Sequence, residues 1–239
     1  MKKNELREIK LLELLKNGKR LDIAFVVKTL DISEATARRM FSKLEEDKKL
    51  IRVHGGIQTA PEIYADYSFN VSVGKNLKEK TIIGSKAAQL VESGDRLFLD
   101  AGTTVIKMSE ALAMRIQTGE LKNITVITNS LSYVSNLASC CDVILIGGKI
   151  RPERRDVCGA IARQNLEKMH FDKAFFGVDA ISPGGELMTT DADTAELNAL
   201  FIRHSNQTYV LADSSKFNRT SLMSFASISD ISLVITENK

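Results

Sequence analysis

The sequence predicts an α/β protein in two parts. A small N-terminal unit of three helices closed by a hairpin precedes a larger unit in which helices alternate with short apolar strands. Three observations carry this. Apolar residues recur at helical spacing through the first 47 positions, and Gly55-Gly56 then separates two strand-like runs. From Lys78 onward, runs such as Leu97-Phe98-Leu99 and Val143-Ile144-Leu145-Ile146 alternate with helical stretches, as in a mostly parallel sheet covered on both faces. Charge is also divided. Residues 1–60 hold fourteen Lys and Arg against nine Asp and Glu, a surplus of five, so the remainder carries −2 of the net +3.

Residues 4–17 read as the first helix, with Leu6, Ile9, Leu11, Leu12, Leu14 and Leu15 forming an apolar stripe. Asn17-Gly18 supplies its end, glycine accepting the left-handed cap. The second helix covers Asp22–Leu30, with Ile23, Phe25, Val26 and Val27 apolar, and Asp31-Ile32 makes a turn. Ser33 is positioned as N-cap and Glu34 puts negative charge in the first turn of the third helix, Glu34–Asp47. Ala35, Met40, Phe41 and Leu44 face the core, leaving Thr36, Arg38, Arg39 and Lys43 on another face. Leu50–Val53, a His54-Gly55-Gly56 turn and Ile57–Thr59 make a hairpin, completing a winged helix-turn-helix over residues 1–57. Residues 58–76, with Pro61, read as a linker that can turn helical further on, and 77–239 as a Rossmann-like α/β domain.

In the larger unit, helices are expected at 79–91, 105–115, 130–138, 160–169 and 192–204. Strands are expected at 96–100, 124–128, 143–146, 173–178, 207–212 and 231–235. No apolar run approaches the roughly 20 residues of a membrane span, and the charged amphipathic start has no signal-peptide core, so a cytoplasmic protein without membrane contact is expected. Cys140, Cys141 and Cys158 read as reduced thiols. With His54, His170 and His204 scattered, no metal or cofactor site is expected.

A reading helix presents its first turns to base edges. Ser33, Glu34, Thr36, Ala37, Arg38 and Lys43 occupy those positions, where arginine pairs with guanine and hydroxyls reach base or phosphate. Arg39, Lys48, Lys49, Arg52 and His54 are placed to neutralise phosphates. An arginine pair alone also suits a solvated helix face; the cap before it and the glycine wing after it favour double-stranded DNA as partner.

In the second unit, Asp100-Ala101-Gly102-Thr103-Thr104 ends a strand and opens a helix. Free N–H groups, a close backbone approach at Gly102 and two hydroxyls make a phosphate cradle, or simply a capped helix. Asn129, Gly147, Gly148, Asp179 and Lys216 fall at other strand ends, where ligands of open α/β sheets lie. Asp100 and Asp179 are candidates to accept from sugar hydroxyls. Lys216 is a candidate to pair with a phosphate, and is equally a surface lysine.

These motifs resemble the DeoR family of bacterial transcription regulators. Ile32-Ser33-Glu34-Ala35-Thr36-Ala37-Arg38-Arg39, Leu44-Glu45 and Leu50-Ile51-Arg52-Val53-His54-Gly55-Gly56 match its head. Asp100–Thr104, Thr128-Asn129-Ser130, Gly147-Gly148, a Phe-x-Gly strand and Asp213–Phe217 match its sensor in order. The resemblance implies a sensor similar in fold to ribose-5-phosphate isomerase and coenzyme A transferases. It implies a repressor of carbohydrate-metabolism genes controlled by a phosphorylated sugar, working as a homodimer or tetramer and not as an enzyme. Met40 stands where the family has an acidic residue, removing an expected partner of the arginines, and Ala37 where it has a β-branched one. Thr194 and Asn198 stand where relatives carry a glutamate and a lysine, leaving Glu196 as the nearest carboxylate. The alternatives are a sugar-phosphate isomerase with Asp100 or Asp179 as base, which lacks a second acid–base partner, and an architectural DNA binder without a ligand.

Overall fold

A computed structural model describes residues 3–15, 20–46, 49–53, 55–59 and 69–238. The expected Asn17-Gly18 cap, Asp47, Lys48, His54 and Pro61 lie outside them. The chain divides into two compact units, residues 1–66 and 67–239.

The first unit runs α1 (Lys3–Leu15), β1 (Leu21–Asp22), α2 (Ile23–Leu30), α3 (Glu34–Glu46), β2 (Leu50–Val53) and β3 (Gly56–Thr59). Its antiparallel sheet has the order β1-β3-β2. The helical stripes meet as expected, with Leu11, Leu15, Val26, Leu30, Phe41, Leu44, Leu50 and Ile57 buried together. β1 was not expected, because two residues give no periodicity; it takes Asp22 out of the expected helix. The two glycines have different causes. Gly55 has φ +80, a left-handed turn that side chains resist. At Gly56 a Cβ would lie 2.2 Å from the Leu21 carbonyl oxygen, so only glycine lets β1 pair there.

The second unit runs α4 (Phe69–Gly74), α5 (Leu77–Gln89), β4 (Arg96–Leu99), α6 (Thr103–Gln117), β5 (Thr125–Thr128), α7 (Val134–Ala138), β6 (Asp142–Leu145), β7 (Lys149–Arg151), β8 (Asp156–Cys158), α8 (Ala160–Leu166), β9 (Phe171–Gly177), β10 (Ala180–Ile181), β11 (Glu186–Thr189), α9 (Ala192–Arg203), β12 (Ser205–Leu211), β13 (Met223–Ser227) and β14 (Leu233–Ile235). Six strands form a parallel sheet in the order β14-β12-β9-β4-β5-β6. The central strands are buried on both faces, whereas the edge strand β6 is largely exposed. Leu97 and Leu99 pack among residues of α5, α6 and α7, while Phe98 between them packs with Ala162, Leu166, Leu197 and Phe201 of α8 and α9. Successive residues of a strand point to opposite faces, so a continuous apolar run fits this place.

The expected linker, 58–76, overlaps β3 at its start and α4 at its end. The expected helix 130–138 shortens to α7, because residues 129–133 are held otherwise. Ser130 bridges Asp156, the Ser130 amide donates to Thr128 Oγ1 at 2.9 Å, and the Ser132 amide donates to Ser130 Oγ at 3.2 Å. Such side-chain bonds compete with helix. The hairpin β7–β8 and the small sheet β10-β11-β13 were not expected; their strands of two to five residues are too short to show alternation. No described helix is long and apolar enough to cross a membrane.

Candidate functional sites

In the first unit Ser33 caps α3, its Oγ accepting from the Thr36 amide at 3.2 Å and lying 2.8 Å from Thr36 Oγ1. Glu34 pairs with Arg38 one turn on, at 2.6 Å, both more than half exposed. Arg39 is exposed beside them. The sequence-based assignment of Ala37 to this outer face is corrected. Ala37 is fully buried, and exposed Ala35 is not the core residue expected. Met40 is also in the core, as expected, and Glu34 supplies a carboxylate for Arg38. Lys43 Nζ lies 2.7 Å from Glu8 of α1, and the Arg52 guanidinium reaches Ser42 Oγ at 3.2 Å while its amide bonds Glu45. Both cations therefore also brace the unit.

In the second unit the carboxyl ends of β4, β9 and β12 bring several expected residues together. Asp100 is buried after β4; its Oδ2 is 3.4 Å from the Gly177 amide at the end of β9. A Cβ on Gly102 would lie 3.4 Å from that amide and from Asp100 Oδ2, so the glycine permits this close approach. Ala101, Thr103 and Thr104 are buried around the start of α6. Burial pushes the Asp100 carboxyl up to about 6, with Asp156 adding to the effect and the Ala101, Gly177 and Gly102 amides opposing it. Tyr133, which the sequence reading missed, donates to the Leu99 and Asp100 carbonyls at 2.8 Å and lies 3.0 Å from Thr128 Oγ1. It braces the ends of β4 and β5.

Asn129 stands at the neighbouring strand end, since Thr128 pairs with Leu99. Asn129 is buried and its Oδ1 has no partner among the described residues. At Gly148 a Cβ would meet the Cys158 carbonyl oxygen at 2.6 Å, so β8 accounts for this glycine without a ligand; a Cβ on the neighbouring, exposed Gly147 would lie 3.6 Å from Asn165 Nδ2. Asp179 Oδ2 accepts from Thr189 Oγ1, Thr190 N and Thr190 Oγ1 at 2.9–3.0 Å, ordering the corner before α9. Glu196 is directed outward to Arg163, at 3.4 Å.

Lys216 is half-buried in the short turn after β12. Beside it lies a cluster that sequence reading missed. Lys80 of α5 is only 4% exposed, and its Nζ donates to the Ser72 carbonyl at 2.5 Å. Burial pulls its ammonium down to about 8; Lys216 and Lys75 add to this and Asp213 opposes it. Asn76 Nδ2 donates to Asp213 Oδ1 at 3.1 Å and to Ser215 Oγ at 3.2 Å. A signal was present: Lys80 stands in register with Ile83, Gly84, Ala87 and Ala88, the buried stripe of α5.

A second missed cluster centres on Arg151. It forms a fork on Asp156, at 2.8 and 2.6 Å, and reaches Asp191 and, at 3.0 Å, Thr194 Oγ1. Burial opposes its charge, but the two aspartates hold its pKa above the ordinary arginine value. Asp191, though burial pushes it up, is lowered to about 2 by Arg151 and Thr194. Thr194 thus joins an arginine network, and Asn198 is buried with its Oδ1 unpartnered among the described residues. No described cluster of His, Cys, Asp and Glu is fit to hold a metal ion.

Two family descriptions match the chain: a DeoR-like helix-turn-helix domain over residues 7–62 and a DeoR C-terminal sensor domain over residues 75–238. The chain is 34% identical to the HTH-type transcriptional repressor GlcR of Bacillus subtilis, over 98% of this chain and 88% of that one. It is 34% identical to a lactose phosphotransferase system repressor of Streptococcus mutans, over 99% and 93%. Among solved structures it is similar to ribose 5-phosphate isomerase A of Methanocaldococcus jannaschii, with a TM-score of 0.45 and 20% identity over 60% of this chain and 55% of that one. With both halves matched in order and full-length relatives above 30% identity, the chain belongs to the DeoR family.

Proposed function

We propose that this protein is a DNA-binding transcription regulator, a repressor of carbohydrate-metabolism genes whose hold on its operator is controlled by a phosphorylated sugar. One observation carries the reading. A capped helix with exposed Arg38 and Arg39 shares a chain with a turn after β12 where the buried cation Lys80 feels both Lys216 and the buried carboxylate of Asp213. The repressor names of the relatives support it. In this reading Arg38 contacts bases, with Ser33, Glu34, Thr36 and Lys43 on the same reading face, while Arg39, Arg52 and His54 meet phosphates. In the sensor, Gly102, Thr103, Thr104 and Lys216 hold the effector's phosphate, and Asp100 and Asn129 its hydroxyls. The protein acts in the cytoplasm as a dimer or tetramer on repeated half-sites.

The isomerase reading is the weaker one, because a working base must be exposed to a substrate carbon, whereas one Asp179 oxygen already accepts three bonds. The test is titration of the full chain against DNA from upstream of its own gene at fixed salt, with and without a panel of sugar phosphates. A shift of about 5- to 150-fold by one compound is the size typical of such coupling. Operator binding that no compound alters overturns effector control, and turnover of a sugar phosphate overturns the regulator reading.

A further inference from the structure

Cys140 and Cys141 are the chain's one adjacent pair of thiols, and neither the DNA-reading helix nor the strand-end crevice uses them. They stand in the tight turn between α7 and β6. Both backbone amides donate to the Leu137 carbonyl, at 2.9 and 3.0 Å, and both thiols reach the same oxygen, Cys140 Sγ at 3.3 Å and Cys141 Sγ at 3.5 Å. One acceptor thus holds the two sulfurs side by side. Each is half-buried and neither is in a disulfide.

Both line a cavity of about 580 Å³, walled also by Ile116 from the end of α6, Leu121 and Ile124 from the loop into β5, and Ala138 from α7. Four apolar side chains and two thiols suit an organic group that carries a thiophilic atom. The place is separate from the crevice. α6 starts there, at Thr103, and runs 15 residues to Gln117, a length of about 22 Å.

The state of the thiols selects among thiophiles. Burial, then the charge and hydrogen bond of Cys140 and the charge of Asp142, push the Cys141 thiol up to about 12, so it stays protonated at neutral pH. A divalent cation would need two thiolates, and no described group of three His, Cys, Asp and Glu residues completes a metal site. Disulfide exchange needs a thiolate too. A centre carrying two hydroxyls takes up two neutral thiols without leaving a charge, since each thiol proton departs with a hydroxide as water.

We propose that Cys140 and Cys141 form a dithiol capture site for a trivalent arsenical bearing one organic group, the arsenic bridging the two sulfurs and the organic group filling the cavity. In the reaction two As–O bonds and two S–H bonds break, two As–S bonds form, and two waters leave. Arsenic stays trivalent, so no oxidant or reductant is needed. The site is independent of the sugar-phosphate reading.

The test is intact-mass spectrometry of the reduced full chain after incubation with phenylarsonous or methylarsonous acid, followed by digestion to map the adduct. The expected result is one phenylarsenic group per chain with loss of two hydrogens, mapped to Cys140 and Cys141. Because the digest reads the native chain, the assignment does not depend on how the variants fold. Cys140→Ser and Cys141→Ser each keep one attachment, so affinity should fall roughly 10²–10⁴-fold, the size of a lost second tether. Cys158→Ser should bind as the native chain does. Ala138→Phe, at an exposed lining position, should weaken capture of the phenyl compound and spare the methyl one. An adduct that keeps a hydroxyl, a bridge that includes Cys158, or native-like capture by either of the first two serine variants overturns the dithiol site. Loss of two hydrogens without arsenic makes the pair a disulfide couple and overturns it as well. If Ala138→Phe captures both compounds like the native chain, the part given to the cavity is overturned.

Discussion

Arg38 allows reading and folding to be separated by magnitude. Its only described partner is Glu34, one turn earlier, and the two side chains are 59% and 58% exposed. An exposed pair at this spacing contributes about 0.3–0.5 kcal/mol, and alanine is the better helix former. Arg38→Ala should therefore move the thermal midpoint of the head by less than about 4 °C, since 1 kcal/mol shifts a domain of this size by roughly 4–8 °C. A two-pronged arginine–guanine contact contributes about 1–3 kcal/mol of discrimination, or roughly 5- to 150-fold in affinity. The assay is fluorescence anisotropy at fixed salt with the operator and with a scrambled duplex. Operator affinity should fall by that factor while scrambled affinity falls much less. Equal loss on both duplexes would make Arg38 a phosphate contact, and a large fall in midpoint would make it structural; either refutes the reasoning.

Three other substitutions probe the framework. Arg151→Met leaves Asp156 (8% exposed) and Asp191 (30%) unpaired; breaking a buried pair costs about 3–5 kcal/mol, and partial recovery in the double variant with Asp156→Asn should appear in denaturant unfolding. Native stability of the single variant would show that the fork is not structural. Burial raises Asp100 from 3.8 to about 6, so its protonated form contributes stability below pH 4 that is lost as pH rises through 6. At about 1.4 kcal/mol per unit this amounts to at most about 3 kcal/mol. Asp100→Asn should therefore gain on the native protein between pH 4 and 7, and parallel stability curves would contradict it. Gly56→Ala puts a methyl 2.2 Å from the Leu21 carbonyl oxygen, and overpacking of this kind costs about 1–3 kcal/mol; an unchanged head midpoint would mean that β1 yields without cost.

Much of the architecture was legible because burial writes itself into spacing. The stripes of α1 and α3 and the apolar runs of β4 and β9 name their own environments. The errors have physical causes. Ala35 and Ala37 are two residues apart on one helix, so alanine's indifference to burial let their faces be exchanged. Five strands of the hairpin and the small antiparallel sheet are too short to show a period. Asn76 and Asp213 meet across 137 positions, and Arg151 and Asp191 across 40; nothing local announces such pairs. Lys80 was the readable omission, a charge standing in an apolar register.

The central claim is that two sites share one free energy, and linkage tests it directly. If a sugar phosphate weakens operator binding by some factor, the operator must weaken sugar-phosphate binding by the same factor. The decisive measurement is calorimetric titration of the active compound into the full chain, free and saturated with operator. The account predicts an affinity lower on the operator-bound protein by the factor seen in the DNA titration. Identical affinities for the free and DNA-bound protein would contradict it.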